Sequence, residues 1–146
     1  MRILIDGDGC PVVDITVRLC RREKVPCLIL CDTAHCLQKD GARTIVVDQG
    51  ADSADFALVN LLQPGDLVIT QDYGLASMCL ARGARVLHQD GMEYTEDNID
   101  TLLTFRHAAA KIRRSGGRLK GPKKRTPEQD RAFEAGLLAL LSEMNL

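Results

Sequence analysis

The sequence predicts an α/β protein, a three-layer α/β/α sandwich with a mainly parallel sheet. Short apolar runs alternate with longer stretches of helical periodicity from Ile3 to His88. The runs are apolar on both faces, which is typical of parallel strands that helices cover on two sides. Pro26 and Pro64-Gly65 mark points where a helix ends and the chain returns to a strand.

Each predicted element follows from this alternation. The strands are expected at 3–6, 27–31, 44–47, 67–70 and 85–88, and the intervening helices at 12–24, 54–62 and 73–82. Pro11 suits the start of the first helix, because the N–H that proline lacks would have no partner there. A long helix follows Thr95 to about Arg114, and a last one is expected at about 127–144. The chain of 146 residues suffices for a single domain over residues 1–146.

The composition favours a cytoplasmic protein that is not in a membrane. No apolar stretch approaches the roughly 20 residues of a membrane span, and no secretory signal is visible. With no Trp and only 3% aromatic residues, the core must be aliphatic. The six cysteines are expected to be reduced and mostly buried. A zinc site at Cys27, Cys31, His35 and Cys36 is disfavoured, since the first two bracket a predicted strand.

Acidic residues follow two of the predicted strands and enter one helix. Asp6 and Asp8 come at the end of the first strand, and Asp72 follows the fourth. In a parallel sheet these positions share the carboxyl edge, by which we mean the edge where the parallel strands end and where ligands bind. Asp55 enters the second helix near that edge, and Asp52 suits an N-cap. The structural alternative for each acid is a helix cap or a solvated turn carboxylate.

Carboxylates that converge in this way are typical of a site for Mg²⁺ or Mn²⁺. Asp6, Asp8, Asp55 and Asp72 are therefore the candidate metal ligands and catalytic residues. Such a site stabilises an in-line phosphoryl displacement in which water is the nucleophile.

The net charge of −1 conceals a basic segment, defined here as residues 106–125. This segment carries nine Lys and Arg residues and no acid, whereas residues 1–105 are acidic overall. Its glycines predict a connector at about 115–126. The alternatives are a solvated surface and a phosphate-binding arm for nucleic acid. The candidate nucleic-acid-binding residues are Arg113, Arg114, Arg118, Lys120, Lys123, Lys124 and Arg125.

Over nearly its whole length the chain resembles the YaiI/YqxD family, whose members have a PIN-like fold. The similarity is carried by the segments 6–12, 51–55, 65–72, 94–99, 121–122 and 130–133. It implies metal-dependent ribonuclease chemistry on the four acids named above. Five positions in three segments depart from the family pattern: glycines stand at 7 and 9, Phe56 replaces an Asn, and Tyr73-Gly74 replaces Ile-Pro.

Three functions are compatible with these features. The first is a divalent-metal-dependent nuclease that forms no covalent protein intermediate. The second is a haloacid-dehalogenase-like phosphatase, in which Asp6 is the nucleophile, Asp8 a general acid and Thr70 a phosphate-binding hydroxyl. A phosphatase of this kind also needs a lysine from the middle of the chain, and Lys39 is the only lysine between Lys24 and Lys111. The third is a nucleic-acid-binding protein without catalysis.

Overall fold

The computed structural model describes residues 1–32, 38–47, 53–114, 116 and 124–144. In these residues six strands form one sheet and five helices pack against it. In chain order the elements are β1 (Ile3–Asp6), α1 (Val13–Glu23), β2 (Cys27–Asp32), β3 (Arg43–Val47), α2 (Ser53–Leu61), β4 (Leu67–Ile69), α3 (Tyr73–Ala81), β5 (Arg85–Leu87), β6 (Glu93–Tyr94), α4 (Glu96–Arg114) and α5 (Pro127–Met144).

The strand order in the sheet is β3-β2-β1-β4-β5-β6. Each pair from β3 to β5 is parallel, and only the pair of β5 and β6 is antiparallel. The predicted α/β class with a mainly parallel sheet is therefore confirmed. Strands β2 and β3 follow on one side of β1, whereas β5 and β6 follow on the far side of β4. The direction of the strand order therefore reverses between β1 and β4. That boundary is the switch point of the sheet.

Both faces of the sheet are apolar because helices cover both. Ile3 and Ile5 of β1 belong to a buried cluster with residues of α1 and α5. Leu4, which points the other way, belongs to a second cluster with residues of α2, α3 and the start of α4. Side chains of β1 therefore alternate between two covered faces, and its apolar residues are buried on both.

One local prediction was wrong, and one strand was missed. Pro11 does not begin the first helix: α1 begins at Val13, and Pro11 and Val12 form a turn before it. Strand β6 was not predicted, because two residues are too few to show a periodic pattern. Its pairing with β5 holds it in place, together with the Arg85 guanidinium, which binds Glu93 at 2.8 Å and also Glu143 of α5 at 2.8 Å.

The long C-terminal helices begin where the sequence predicts. The Thr95 N–H donates to the side chain of Asn98 at 2.9 Å, and the Thr126 N–H donates to the side chain of Gln129 at 2.8 Å. These bonds satisfy N–H groups that a helix start leaves unpaired. Helix α5 then packs closely on the turn after β5, because a Cβ at Gly136 would lie 2.8 Å from the Gly91 carbonyl oxygen.

None of the described helices combines the length and apolar content required to cross a bilayer. Cys20, Cys27 and Cys79 lie in the buried core, as expected for cysteines that pack as small apolar residues. Cys27 and Cys31 lie within β2, whereas His35 and Cys36 of the considered zinc site are outside the described residues.

Candidate functional site

Three polar residues stand side by side where adjacent strands end. Ile5 is paired with Ile69, and Ile69 with Leu87. Asp6 follows Ile5, Thr70 follows Ile69, and His88 follows Leu87. These three residues therefore form a row at the carboxyl edge. Asp6 and Thr70 share the sheet face of Leu4 and Val68, which α2, α3 and α4 cover.

Thr70 connects the acids on the two sides of the switch point. Its hydroxyl donates to Asp6 Oδ2 at 2.8 Å and accepts the N–H of Asp72 at 3.0 Å. Its carbonyl oxygen accepts the hydroxyl of Tyr94 at 3.3 Å. Because Thr70 is only 2% exposed, water does not compete for these bonds. Thr70 therefore fixes the side chain of Asp6 against the backbone of β4.

The four candidate acids interact electrostatically through Asp6. Burial raises the pKa of Asp6 to about 6, the hydrogen bond from Thr70 opposes that rise, and the charges of Asp55, Asp72 and Asp8 add to it. Each neighbouring carboxylate disfavours the ionised form of Asp6. The sequence argument that these four residues share one edge is thus consistent with the geometry.

Two of the four acids also bind backbone N–H groups. The Asp8 carboxylate accepts the N–H of Asp32 at 3.2 Å, which ties the loop after β1 to the end of β2. Asp72 is the N-cap of α3, and its Oδ1 accepts the N–H groups of Gly74 at 2.9 Å and Leu75 at 3.2 Å. Asp55 lies in the first turn of α2. Asp52 is outside the described residues.

The loop between β1 and α1 owes its course to a glycine. Gly9 has a φ of +69°, a left-handed conformation that side chains rarely adopt. A Cβ at this position would approach the Gln71 side chain to 3.8 Å. The loop carrying Asp8 therefore runs beside the segment that carries Asp72.

The donors at this edge are carboxylate oxygens, which are the type of ligand that Mg²⁺ prefers. Among the described His, Cys, Asp and Glu residues, no group of three or more is close enough to hold one ion. Mg²⁺ is commonly bound by one or two carboxylates, with waters and substrate phosphate completing its octahedron. A cation would also relieve the repulsion that adds to the rise in the pKa of Asp6.

Sequence reasoning missed one acid at this edge and did not foresee the role of Thr70. Asp32 ends β2, and its N–H binds Asp8. Its position after the apolar run Cys27–Cys31 is the same signal that identified Asp6 and Asp72. The bond from Thr70 to Asp6 spans 64 residues, and no local sequence pattern indicates such a contact.

The structure describes only part of the basic segment. Arg113 and Arg114 end α4, but their side chains are not described, and Arg118, Lys120 and Lys123 lie outside the described residues. Lys124 is exposed. Arg125 is not a solvated cation: its guanidinium binds Asp90 at 2.7 Å, Asp130 at 2.7 Å and the Gln89 carbonyl at 2.7 Å.

These bonds attach the end of the basic segment to the carboxyl edge. Asp90 and Gln89 lie in the turn that follows β5, next to His88. Burial lowers the pKa of His88, Asp90 opposes this effect, and the Arg125 charge adds to it. Arg125 is thus a structural link at this edge.

The two residues that the phosphatase alternative names besides the acids both have partners in the structure. The Thr70 hydroxyl, its proposed phosphate ligand, already binds Asp6. The Lys39 ammonium pairs with Asp14 at 2.9 Å, beside a pocket of about 230 Å³ against the loop of Gly7 and Gly9.

Comparisons with known proteins agree on one family. The family model described as "Uncharacterized BCR, YaiI/YqxD family" matches residues 4–143. A UPF0178 protein of Exiguobacterium sibiricum is 53% identical over 143 residues, which cover 98% of each chain. A UPF0178 protein of Clostridium acetobutylicum is 47% identical, with 97% of each chain covered. One of Ruminiclostridium cellulolyticum is 46% identical, with 97% of this chain and 92% of the relative covered. The chain therefore belongs to the YaiI/YqxD family.

Proposed function

We propose that the protein is a Mg²⁺- or Mn²⁺-dependent phosphodiesterase that hydrolyses nucleic acid, with RNA as its expected substrate. The observation that carries the proposal is the environment of Asp6. This carboxyl group lies at the switch point of the sheet, where burial and the charges of three neighbouring carboxylates raise its pKa to about 6. Ligands of open α/β sheets bind at this position.

Each acid has a definable role in the proposal. Asp6 is ionised at neutral pH and, held by Thr70, offers a carboxylate of fixed orientation to the ion. Asp55 and Asp72 add negative charge next to it. Asp8 holds the loop after β1 in place through the N–H of Asp32. Asp6 and a neighbouring carboxylate would hold a divalent ion, and that ion would supply positive charge to stabilise a phosphate during attack by water.

The basic segment supports nucleic acid as the substrate class. It carries nine positive charges without an acid, and Arg125 attaches its end at the edge that holds Asp6. Cations of this kind neutralise backbone phosphates. The buried thiols suit a reducing compartment, and we place the reaction in the cytoplasm.

The test is cleavage of a short end-labelled RNA by the purified chain. We expect products with Mg²⁺ or Mn²⁺, none with a chelator, and none from the variants Asp6→Asn and Asp72→Asn. Asp40→Asn is the matched control, because the Asp40 side chain is 94% exposed and pairs only weakly with Arg21 at 3.4 Å. Cleavage by Asp6→Asn at the wild-type rate would refute the proposal and reveal a contaminating nuclease.

The same preparations separate the two other functions. An acid-stable phosphate ester on Asp6, formed from a phosphate monoester, would establish the phosphatase instead. RNA binding without turnover in either metal would establish a binding protein.

A further inference from the structure

Two of the few aromatic residues of this protein directly follow candidate acids of the carboxyl edge. The chain has two Tyr, three Phe and no Trp. Phe56 follows Asp55 in the first turn of α2, and Tyr73 follows Asp72 as the first residue of α3. In both helices an aromatic residue therefore comes directly after a candidate acid, at the helix end that faces the carboxyl edge.

Tyr73 is held in place by a second aromatic ring. Its ring centroid lies 5.9 Å from that of Tyr94, at an interplanar angle of 65°. Tyr94 is 0% exposed, and its hydroxyl binds the Thr70 carbonyl oxygen. His88 contacts Tyr94 from a further direction, at a centroid distance of 5.9 Å. Tyr94 is thus a fixed support for Tyr73, which is only partly buried, packs against the core cluster of Leu4 and contacts Tyr94 in an edge-to-face arrangement.

Phe56 is the most exposed of the large apolar side chains described. It is 60% exposed, whereas Phe133 is fully buried. Apart from Asp55, helices α2 and α3 contain no charged residue. An exposed ring with no neighbouring charge on its helix except Asp55 can bind the flat, apolar face of a ligand. It is poorly suited to bind a phosphate.

We propose that Tyr73 and Phe56 form a stacking surface for the bases of single-stranded nucleic acid, beside the carboxylates that face its phosphates. The inference rests on the proposed function, since that function brings a polynucleotide to this edge. Stacking on aromatic side chains requires a base whose face is open, and a base within a duplex has both faces covered by its neighbours. Because every base has such a face, the surface confers a preference for single strands with little preference for sequence.

The test measures affinity by fluorescence anisotropy of labelled oligomers in Ca²⁺. The probes are an eight-nucleotide uridine strand, an abasic oligomer of the same length, and a hairpin duplex. We expect the wild-type chain to bind the uridine strand most tightly. Tyr73→Ala should weaken that binding by about 5- to 100-fold and leave abasic binding unchanged. Phe56→Ala should act in the same direction.

Two further variants separate stacking from a loss of structure. Tyr73→Phe keeps the ring and should retain the affinity. Met78→Ala removes a 38% exposed apolar side chain from α3, later in the helix than Tyr73, and should change nothing. Equal affinity of the wild type for uridine and abasic strands, or equal weakening of both by Tyr73→Ala, would overturn the inference. Tight duplex binding that depends on Tyr73 would overturn it as well.

Failure of the proposed function gives a different result. If the chain is not a nuclease, no oligomer is cleaved in Mn²⁺, whereas the anisotropy measurements still decide whether bases stack. Asp6→Asn should lose cleavage and keep the difference between uridine and abasic binding, because Asp6 is not part of the stacking surface.

Discussion

Asp6 is a carboxyl group placed where its charge is unfavourable. Its pKa in the folded chain is about 6, compared with 3.8 for a solvated Asp. Between these values the unfolded chain has released a proton that the folded chain retains. The free energy of unfolding therefore falls as the pH rises from 3.8 to about 6, and it stays at the lower level above that range.

Replacing Asp6 by Asn should remove this penalty. At pH 7.5 and without divalent ions, we expect Asp6→Asn to increase the free energy of unfolding by about 1–3 kcal/mol. The variant should also lose most of the fall in stability between 3.8 and about 6. Urea denaturation across this pH range measures both effects.

The same denaturation experiment can be repeated with divalent ions added. An ion that binds only the folded chain should stabilise the wild type and leave Asp6→Asn nearly unaffected. Stabilisation of both proteins by the same amount would show that the ion binds elsewhere.

Thr70 should control the protonation of Asp6. Thr70→Val removes the hydroxyl between the Asp6 carboxylate and the Asp72 N–H. We expect a loss of about 1–3 kcal/mol of stability, because two partly buried groups lose their partner. Since the hydroxyl lowers the pKa of Asp6, that pKa should rise further. Activity should then require a higher pH, as measured by the pH profile of RNA cleavage.

Thr70→Ser is the matched control, because it keeps the hydroxyl and removes one methyl group. Its pH profile should coincide with that of the wild type. A pH profile of Thr70→Val that equals the wild type would show that Thr70 is only structural.

At the scale of elements, Arg125 joins the start of α5 to the turn after β5. Arg125→Gln loses bonds to Asp90, Asp130 and the Gln89 carbonyl, and leaves two partly buried carboxylates without this partner. We expect destabilisation by about 1–3 kcal/mol. The neighbouring exposed residue gives the control, since Lys124→Gln should leave stability within about 0.5 kcal/mol of the wild type. Thermal and urea denaturation measure both variants.

The elements that the sequence predicted are those with a long local signal. Strand β1 was placed correctly at 3–6, and β2, β3, β4 and β5 were placed within one residue at each end. Periodicity and turn residues determine such elements without reference to the rest of the chain. Strand β6 has only two residues and no comparable pattern. Its position depends on pairing with β5 and on the ion pair of Arg85 with Glu93.

The sequence was sufficient to predict that Asp6 and Asp72 lie at the carboxyl edge. It was not sufficient to predict the hydrogen bonds that hold this edge together. Topology alone brings Asp6 and Asp72 to one edge, since both follow strands of a parallel sheet. The roles of Thr70 and Arg125 depend on partners 64 and 35 residues away, and these bonds exist only after the helices have packed. Arg125 was expected to bind phosphates, whereas its partners in the structure are internal.

For the whole molecule, the separation of charge predicts how nucleic acid binds. Changing Arg118, Lys120, Lys123 and Lys124 together to Gln should weaken RNA binding for all sequences alike. It should also flatten the salt dependence by roughly 0.7–0.9 log units for each phosphate that the variant no longer neutralises. Arg125 is left unchanged so that the fold is preserved.

Titration of a labelled RNA at several salt concentrations makes this measurement. An unchanged slope would mean that the basic segment is a solvated surface. Stability and binding of divalent ions should be the same as in the wild type.

The position of β1 at the centre of the sheet also determines when the site forms during synthesis. As the chain emerges, β1 can pair first with β2, whereas its other side stays open until β4 arrives. The backbone groups of Ile3, Leu4 and Ile5 that later pair with β4 meanwhile form an open edge that can pair with other chains. The carboxylate of Asp6 stays solvated over the same interval, so the repulsion from Asp72 begins only when β4 docks. Pairing β4 with β1 and creating the acidic site are therefore the same step.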